Sequence, residues 1–166
     1  MEAMGLTDFI EIVKQVLVHE GGAKVTKDPV DPGGTTKYGI SQKAYPKLDI
    51  ENLSEGDAID IYLHDYWEPS KAERLPDDLK HIYFDMVVNM GKKRAVRILQ
   101  KAINNKGGHL VVDGGIGKMT LGAVHSINLE PDRLRAFRVK YYANLVKKKP
   151  SLEKYFYGWF RRSLEV

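Results

Sequence analysis

Apolar positions along the chain recur mostly at helical spacing. Over residues 6–20 they fall at Ile10, Val13 and Leu17, which predicts an amphipathic helix ended by Gly21-Gly22. Glu20 follows Leu17 by three residues and so lands on the same stripe at the C-terminal end. Ser54 and Asp57 have the spacing of a capping box and open a helix through Ala58, Ile61, Tyr62 and Tyr66. Pro76 starts the clearest helix, with Leu79, Ile82, Tyr83, Met86, Val87 and Met90 as its stripe and Gly91 as its stop. A helix through Val96, Leu99, Ala102 and Ile103 comes next. Residues 120–129 read as another, and Pro131 begins one with Leu134, Phe137, Tyr141 and Leu145 turned inward. A last helical segment carries Tyr155, Phe156, Trp159 and Phe160.

Two stretches break this rhythm. Residues 28–39 hold Pro29, Pro32, Gly33, Gly34 and Gly39, which exclude a regular helix and predict a loop or hairpin. Residues 104–117 hold five glycines; Val111-Val112 there is expected to form a short strand, and Thr120 to cap the helix that follows. The Asp113 glycine run lacks the Lys-Ser/Thr ending of a phosphate loop. The fold class is therefore mainly α, with a small loop or hairpin element.

Charge divides the chain. Residues 1–85 carry 9 Lys/Arg against 17 Asp/Glu, a balance of −8, and residues 86–166 carry 17 against 5, a balance of +12. A basic half favours a polyanionic partner, and a solvated charged face is the plainer reading. With 166 residues and 43% hydrophobic composition, one core or a core with an annex can form. The charge change points to a division into residues 1–91 and 92–166, packed as one unit. The absence of cysteine removes disulfides and thiolate metal sites, and none of the five histidines pair at His-x-x-x-His spacing. No metal and no cofactor is expected. No membrane span and no secretory leader are read from the sequence.

The candidate chemistry lies in Glu20-Gly21-Gly22 and in Asp28-Pro29-Val30-Asp31-Pro32-Gly33-Gly34-Thr35-Thr36-Lys37-Tyr38-Gly39-Ile40. Hydrolysis of a sugar bond needs one carboxyl held protonated and a second group that manages water or positive charge. Glu20, on a core-facing stripe at the negative end of a helix, suits the acid. Asp28 and Asp31 stand in a stiff loop as alternative second groups, each of which also serves as an ordinary turn residue before proline. Thr36 offers a hydroxyl for the water. Asp28 is also a candidate for substrate contact, as are Tyr38, Tyr66, Trp67 and Asn89, with packing or helix capping as the alternative role of these last four.

These segments resemble glycoside hydrolase family 108, lysozyme-like N-acetylmuramidases of phages, prophages and bacteria. Phe84-Asp85, Val88-Asn89 and Gly91 are similar to a further family segment. Leu99-Gln100-Lys101-Ala102, Asp113-Gly114-Gly115-Ile116-Gly117 with Thr120, and Gly158-Trp159 with Arg162 resemble the peptidoglycan-binding region that follows in the family. The resemblance implies a lysozyme-like helical fold and a catalytic lobe over residues 1–91. It also implies a peptidoglycan-binding lobe over residues 92–166. The activity it implies is cleavage of the β-1,4 bond between N-acetylmuramic acid and N-acetylglucosamine, with Glu20 as acid. The order Glu, Asp, Thr is also similar to that of small phage lysozymes, which implies that Asp31 or Asp28, with Thr36, holds the attacking water. Ala23-Lys24-Val25 departs from the family, which places an aromatic residue soon after the glycines. A monomer acting on peptidoglycan in the periplasm or cell wall is expected, reached through a separate pore or non-classical export. Electrostatic contact with anionic envelope polymers is expected through the basic half, and no specific nucleic acid. The alternative is a non-catalytic peptidoglycan-binding module.

Overall fold

The computed structural model describes residues 2–30 and 34–166. By internal contacts the chain forms two units, Met1–Trp67 and Glu68–Val166. The helix ended by Gly91 therefore belongs with the second unit, although the charge changes sign near its end.

The first unit begins with α1 (Glu2–His19), four residues earlier than the apolar pattern predicts. Its inner face is Phe9, Val13, Val16 and Leu17, all buried. Three short strands follow, β1 (Thr26–Lys27), β2 (Thr35–Lys37) and β3 (Ile40–Ser41), in an antiparallel sheet of that order. The predicted loop or hairpin is thus a hairpin in each half. Its pairing sets Thr26 opposite Thr36 and Thr36 opposite Ser41. Directly opposed residues share a face of the sheet, so three hydroxyls line one face. On the other face Lys27 pairs with Glu51 at 2.5 Å and Lys37 donates to the Glu51 carbonyl at 3.1 Å. Helix α2 (Glu55–Tyr62) opens with the capping box that its sequence foretells, both Ser54–Asp57 bonds being present. The α-helix expected to run on through Tyr66 instead widens into a π-helical turn, Leu63–Trp67. That turn sets Tyr66 on Tyr62, ring centres 5.1 Å apart, and Trp67 on Phe9 at 5.2 Å. Such a bulge costs hydrogen-bond geometry, and these two aromatic contacts offset it.

The regular elements of the second unit are all helical. It comprises the three-residue α3 (Glu68–Ser70), α4 (Asp77–Met90), α5 (Lys92–Asn105), α6 (Lys118–Ile127), α7 (Pro131–Lys148) and α8 (Glu153–Leu164). Its core joins Leu79, Ile82, Phe84, Met86 and Val87 of α4 to Val96, Leu99 and Ile103 of α5. On α7 the inward stripe is Leu134, Arg138 and Tyr142, shifted from the expected Leu134, Phe137, Tyr141 and Leu145. An arginine holds the buried position because its partner is buried too. Arg138 Nη2 donates to Asp85 Oδ2 at 2.7 Å, and both side chains are fully enclosed. Arg162 of α8 reaches the same carboxylate at 2.9–3.2 Å. Tyr142 lies flat on Trp159, ring centres 5.0 Å apart.

Val111 and Val112 form no strand; Val111 is 78% exposed, and the segment runs irregularly into α6. The buried Gln100 side chain explains why. Its Nε2 donates to Asp113 Oδ1 (3.0 Å), the Gly115 carbonyl (3.1 Å) and Thr120 Oγ1 (3.2 Å), and its Oε1 accepts from the Gly114 N–H (3.0 Å). Thr120 therefore fastens to Gln100 rather than capping α6, whose N-cap is Gly117. Gly114 has φ +80°, and a β-carbon there would come within 2.9 Å of the Lys93 carbonyl, so glycine is required. Gln100→Leu keeps the shape of the side chain and strands these polar partners. It is expected to cost about 1–3 kcal/mol in chemical unfolding and to speed amide exchange over residues 113–120.

Candidate active site

Glu20 stands at the end of α1, where the chain turns through Gly21 (φ +93°) and Gly22 (φ +58°). The Gly22 N–H donates to the Leu17 carbonyl at 2.9 Å and the Gly21 N–H to Val18 at 3.2 Å. This paired termination makes Glu20 the capping residue and gives its side chain a fixed point of departure. Only glycine takes the first position cheaply, which is why Glu-Gly-Gly is legible as a helix stop.

The β2–β3 hairpin is drawn to this helix end. Its turn is Tyr38-Gly39, both with positive φ (53° and 76°), between the paired Lys37 and Ile40. Both central residues at positive φ make the turn whose twist suits a two-residue hairpin. Tyr38 is an unusual occupant, and three contacts hold it: its N–H donates to the Gly22 carbonyl at 3.0 Å, its carbonyl accepts from the Tyr62 hydroxyl at 2.7 Å, and Lys37 Nζ lies 5.5 Å from its ring centre.

Gly39 has no room for a side chain. A β-carbon there would lie 2.6 Å from the Tyr62 hydroxyl and 2.8 Å from both Cβ and Oε2 of Glu20. The carboxylate and the phenol therefore converge on one glycine. Gly39→Ala is expected to displace Glu20 and Tyr62 and to destabilise by about 1–3 kcal/mol, read in thermal melts. Tyr62→Phe, which removes only the hydroxyl, should cost about 1 kcal/mol.

A further phenol, Tyr66, feels the charge of the Glu20 carboxylate. Burial pushes the Tyr66 hydroxyl up from its ordinary pKa; the negative charges of Asp65 and Glu20 push it the same way, against the hydrogen bond with Tyr45. Burial likewise raises Tyr45, whose hydroxyl donates to Asp65 Oδ2 at 2.6 Å. Both stay neutral donors at neutral pH. Tyr45, Tyr62 and Gly39 escaped the sequence reading as site residues. The four-residue spacing of Tyr62 and Tyr66 was the available signal, and it reads equally as packing.

The other candidates fall in different places. Asp28 sits on the exposed β1–β2 loop, where its Oδ1 accepts from the Val30 N–H at 2.9 Å, an Asx turn. Asp31 lies outside the described residues. Thr36 is half-buried in the middle of the hydroxyl row on β2. Trp67 is only 2% exposed and packs against Phe9, so its large ring serves the core rather than an open sugar platform. Tyr38, 8% exposed, acts through its backbone as the hinge of the turn. Asn89 is in the second unit, where its side-chain oxygen accepts from the Tyr142 hydroxyl and faces Arg138 Nη2 at 3.5 Å.

Compared with known proteins, residues 13–91 match the model of the family described as glycosyl hydrolase 108, and residues 94–164 match that described as predicted peptidoglycan domain. Together the two span almost all of the sequence. The chain carries a glycosyl hydrolase 108 region followed by a predicted peptidoglycan domain. The structure of Brucella abortus SagA is similar, at 28% identity and TM-score 0.75, covering 95% of this chain and 90% of that one. No curated protein matches the chain. With its glycosyl hydrolase 108 region, the chain is a glycoside hydrolase with a mainly α, lysozyme-like fold and a peptidoglycan-related function. Among its described residues no helix is long and apolar enough to cross a membrane.

Proposed function

We propose that the chain is an N-acetylmuramidase that hydrolyses the β-1,4 bond between N-acetylmuramic acid and N-acetylglucosamine. Glu20 donates its proton to the glycosidic oxygen as the bond to C1 breaks. Asp31 or Asp28 stabilises the positive charge developing on the sugar or takes a proton from the attacking water. Thr36 orients that water. Tyr62 and Gly39 fix the position of the acid. Residues 1–91 carry the chemistry and residues 92–166 hold the polymer. The place of action is the cell wall, in the manner of a phage or prophage endolysin reaching it through a separate pore or a non-classical route.

The observation that carries this reading is the convergence of the Glu20 carboxylate and the Tyr62 hydroxyl on Gly39. It lies within the segment that matches glycosyl hydrolase 108. A helix stop and a hairpin turn, both with positive φ, are held together there to place one carboxylate. Digestion of purified peptidoglycan, followed by borohydride reduction and mass spectrometry, tests the reading. Muramitol ends are expected. Glucosaminitol ends would assign the other glycosidic bond, and sedimentation with the polymer without new ends would make the chain a binding module.

A further inference from the structure

The aromatic stripe expected inside the second unit lies instead along a groove. Because Arg138 takes the buried position on α7, Phe137, Tyr141 and Leu145 are turned aside and stay half-exposed. With Ile98 of α5 they form the floor of a groove of about 480 Å³. Lys101, Lys140 and Lys148 line it, all exposed, and no acidic side chain does. Among the described residues none of the three lysines has an ion-pair partner, and Lys140 rests over the Phe137 ring with Nζ 5.5 Å from its centre.

We infer that this α5–α7 groove binds the peptide stem of peptidoglycan, with its lysines pairing the stem carboxylates and its aromatic floor taking the adjoining sugar and aliphatic side chains. The inference rests on peptidoglycan as the substrate and adds to it a site and the part of the polymer recognised. Charge complementarity favours the stem. The glycan backbone presents amides and hydroxyls, whereas the stem presents several carboxylates along one extended chain. Unpaired ammonium groups beside exposed rings match that alternation of anionic and apolar groups. A solvated lysine face would need no half-exposed phenylalanine and tyrosine between its charges. The groove lies within the unit matched as predicted peptidoglycan domain, away from the Glu20 constellation in sequence and unit.

The test uses the full chain and two soluble probes, a disaccharide-tetrapeptide muropeptide and the same disaccharide without peptide, titrated by calorimetry and NMR. Wild type is expected to bind the muropeptide more tightly than the bare disaccharide, and less tightly as salt rises. Lys101→Glu/Lys140→Glu/Lys148→Glu is expected to weaken the muropeptide by about tenfold or more and to leave the disaccharide unchanged. Because the three lysines are exposed, thermal melts should match wild type, and a Lys→Gln triple variant should show the same loss to a smaller degree. Lys147→Glu/Lys149→Glu/Lys154→Glu, an equal charge change outside the groove, should bind within about twofold of wild type.

Equal binding by the groove variant and wild type would overturn the inference, as would equal losses in the two reversals. Tighter retention of a DNA oligonucleotide than of muropeptide through the same three lysines would overturn it in favour of nucleic acid. Release of muramic-acid reducing ends without any muropeptide binding refutes the groove alone. Binding through the lysines without release of ends supports the groove and refutes the muramidase reading alone.

Discussion

Glu20→Gln is expected to lower the rate of peptidoglycan hydrolysis by about 10²–10⁴ while leaving the protein folded. Glutamine has the same shape and length, so the side chain can occupy the space over Gly39 and beside Tyr62. An amide cannot release a proton to a leaving alkoxide, so only the chemical step should suffer. The loss should therefore appear in kcat, with sedimentation on the polymer unchanged. The main-chain bonds that terminate α1 do not involve the carboxylate, which predicts melting within a few degrees of wild type. Turbidity clearing with reducing-end release measures the rate, and circular dichroism checks the fold. Retention of more than about a tenth of wild-type activity would remove Glu20 from the role of acid.

The largest stability effect is expected at Asp85. This carboxylate is enclosed between Arg138 and Arg162, drawn from α7 and α8. Asp85→Asn leaves the fully buried Arg138 without its counterion, and removal of one member of a buried pair costs about 3–5 kcal/mol. For a protein of this length that is a fall of about 10 °C in Tm. The cost reflects the stranded guanidinium more than the net value of the pair. Asp85→Asn with Arg138→Met is therefore expected to melt above Asp85→Asn alone.

The same site sets an acid limit. Burial raises the Asp85 pKa, but Arg138 and Arg162 outweigh it and hold the carboxyl below its ordinary value. A depressed folded pKa contributes stability that is fully present above the unfolded value near ~4 and is lost as pH falls through the folded value. Wild type should therefore lose stability steeply on acidification below about pH 4, and Asp85→Asn should lose less over that interval. Melts from neutral to acidic pH compare the two slopes. Parallel curves would show that Asp85 titrates alike in both states.

What was legible in the chain follows from local rules. Helix stops at Gly21 and Gly91, the capping box at Ser54 and Asp57, and the stripe of α4 each depend on a few neighbouring residues. So does the departure point of Glu20. Elsewhere a distant partner decided. Val111 and Val112 have strand propensity, but Gln100 draws the following loop into side-chain hydrogen bonds that leave no ladder to join. For Trp67 the sequence leaves sugar contact and packing open, and the fold encloses it against Phe9. The stripe expected at Phe137, Tyr141 and Leu145 gives way to Arg138 and Tyr142, because a carboxylate 53 positions away draws Arg138 into the core.

The sequence by itself determined the helical class, the glycine-marked turns, the candidate acid and the divided charge, because each is set by side-chain type and spacing within a turn or two of chain. Tertiary structure decided what surrounds the acid, by bringing the Tyr38-Gly39 turn and Tyr62 to Glu20 across 18 and 42 positions of sequence. It also decided which face of α7 is inside. Burying an ion pair requires both partners at once, and only the packed fold supplies the second.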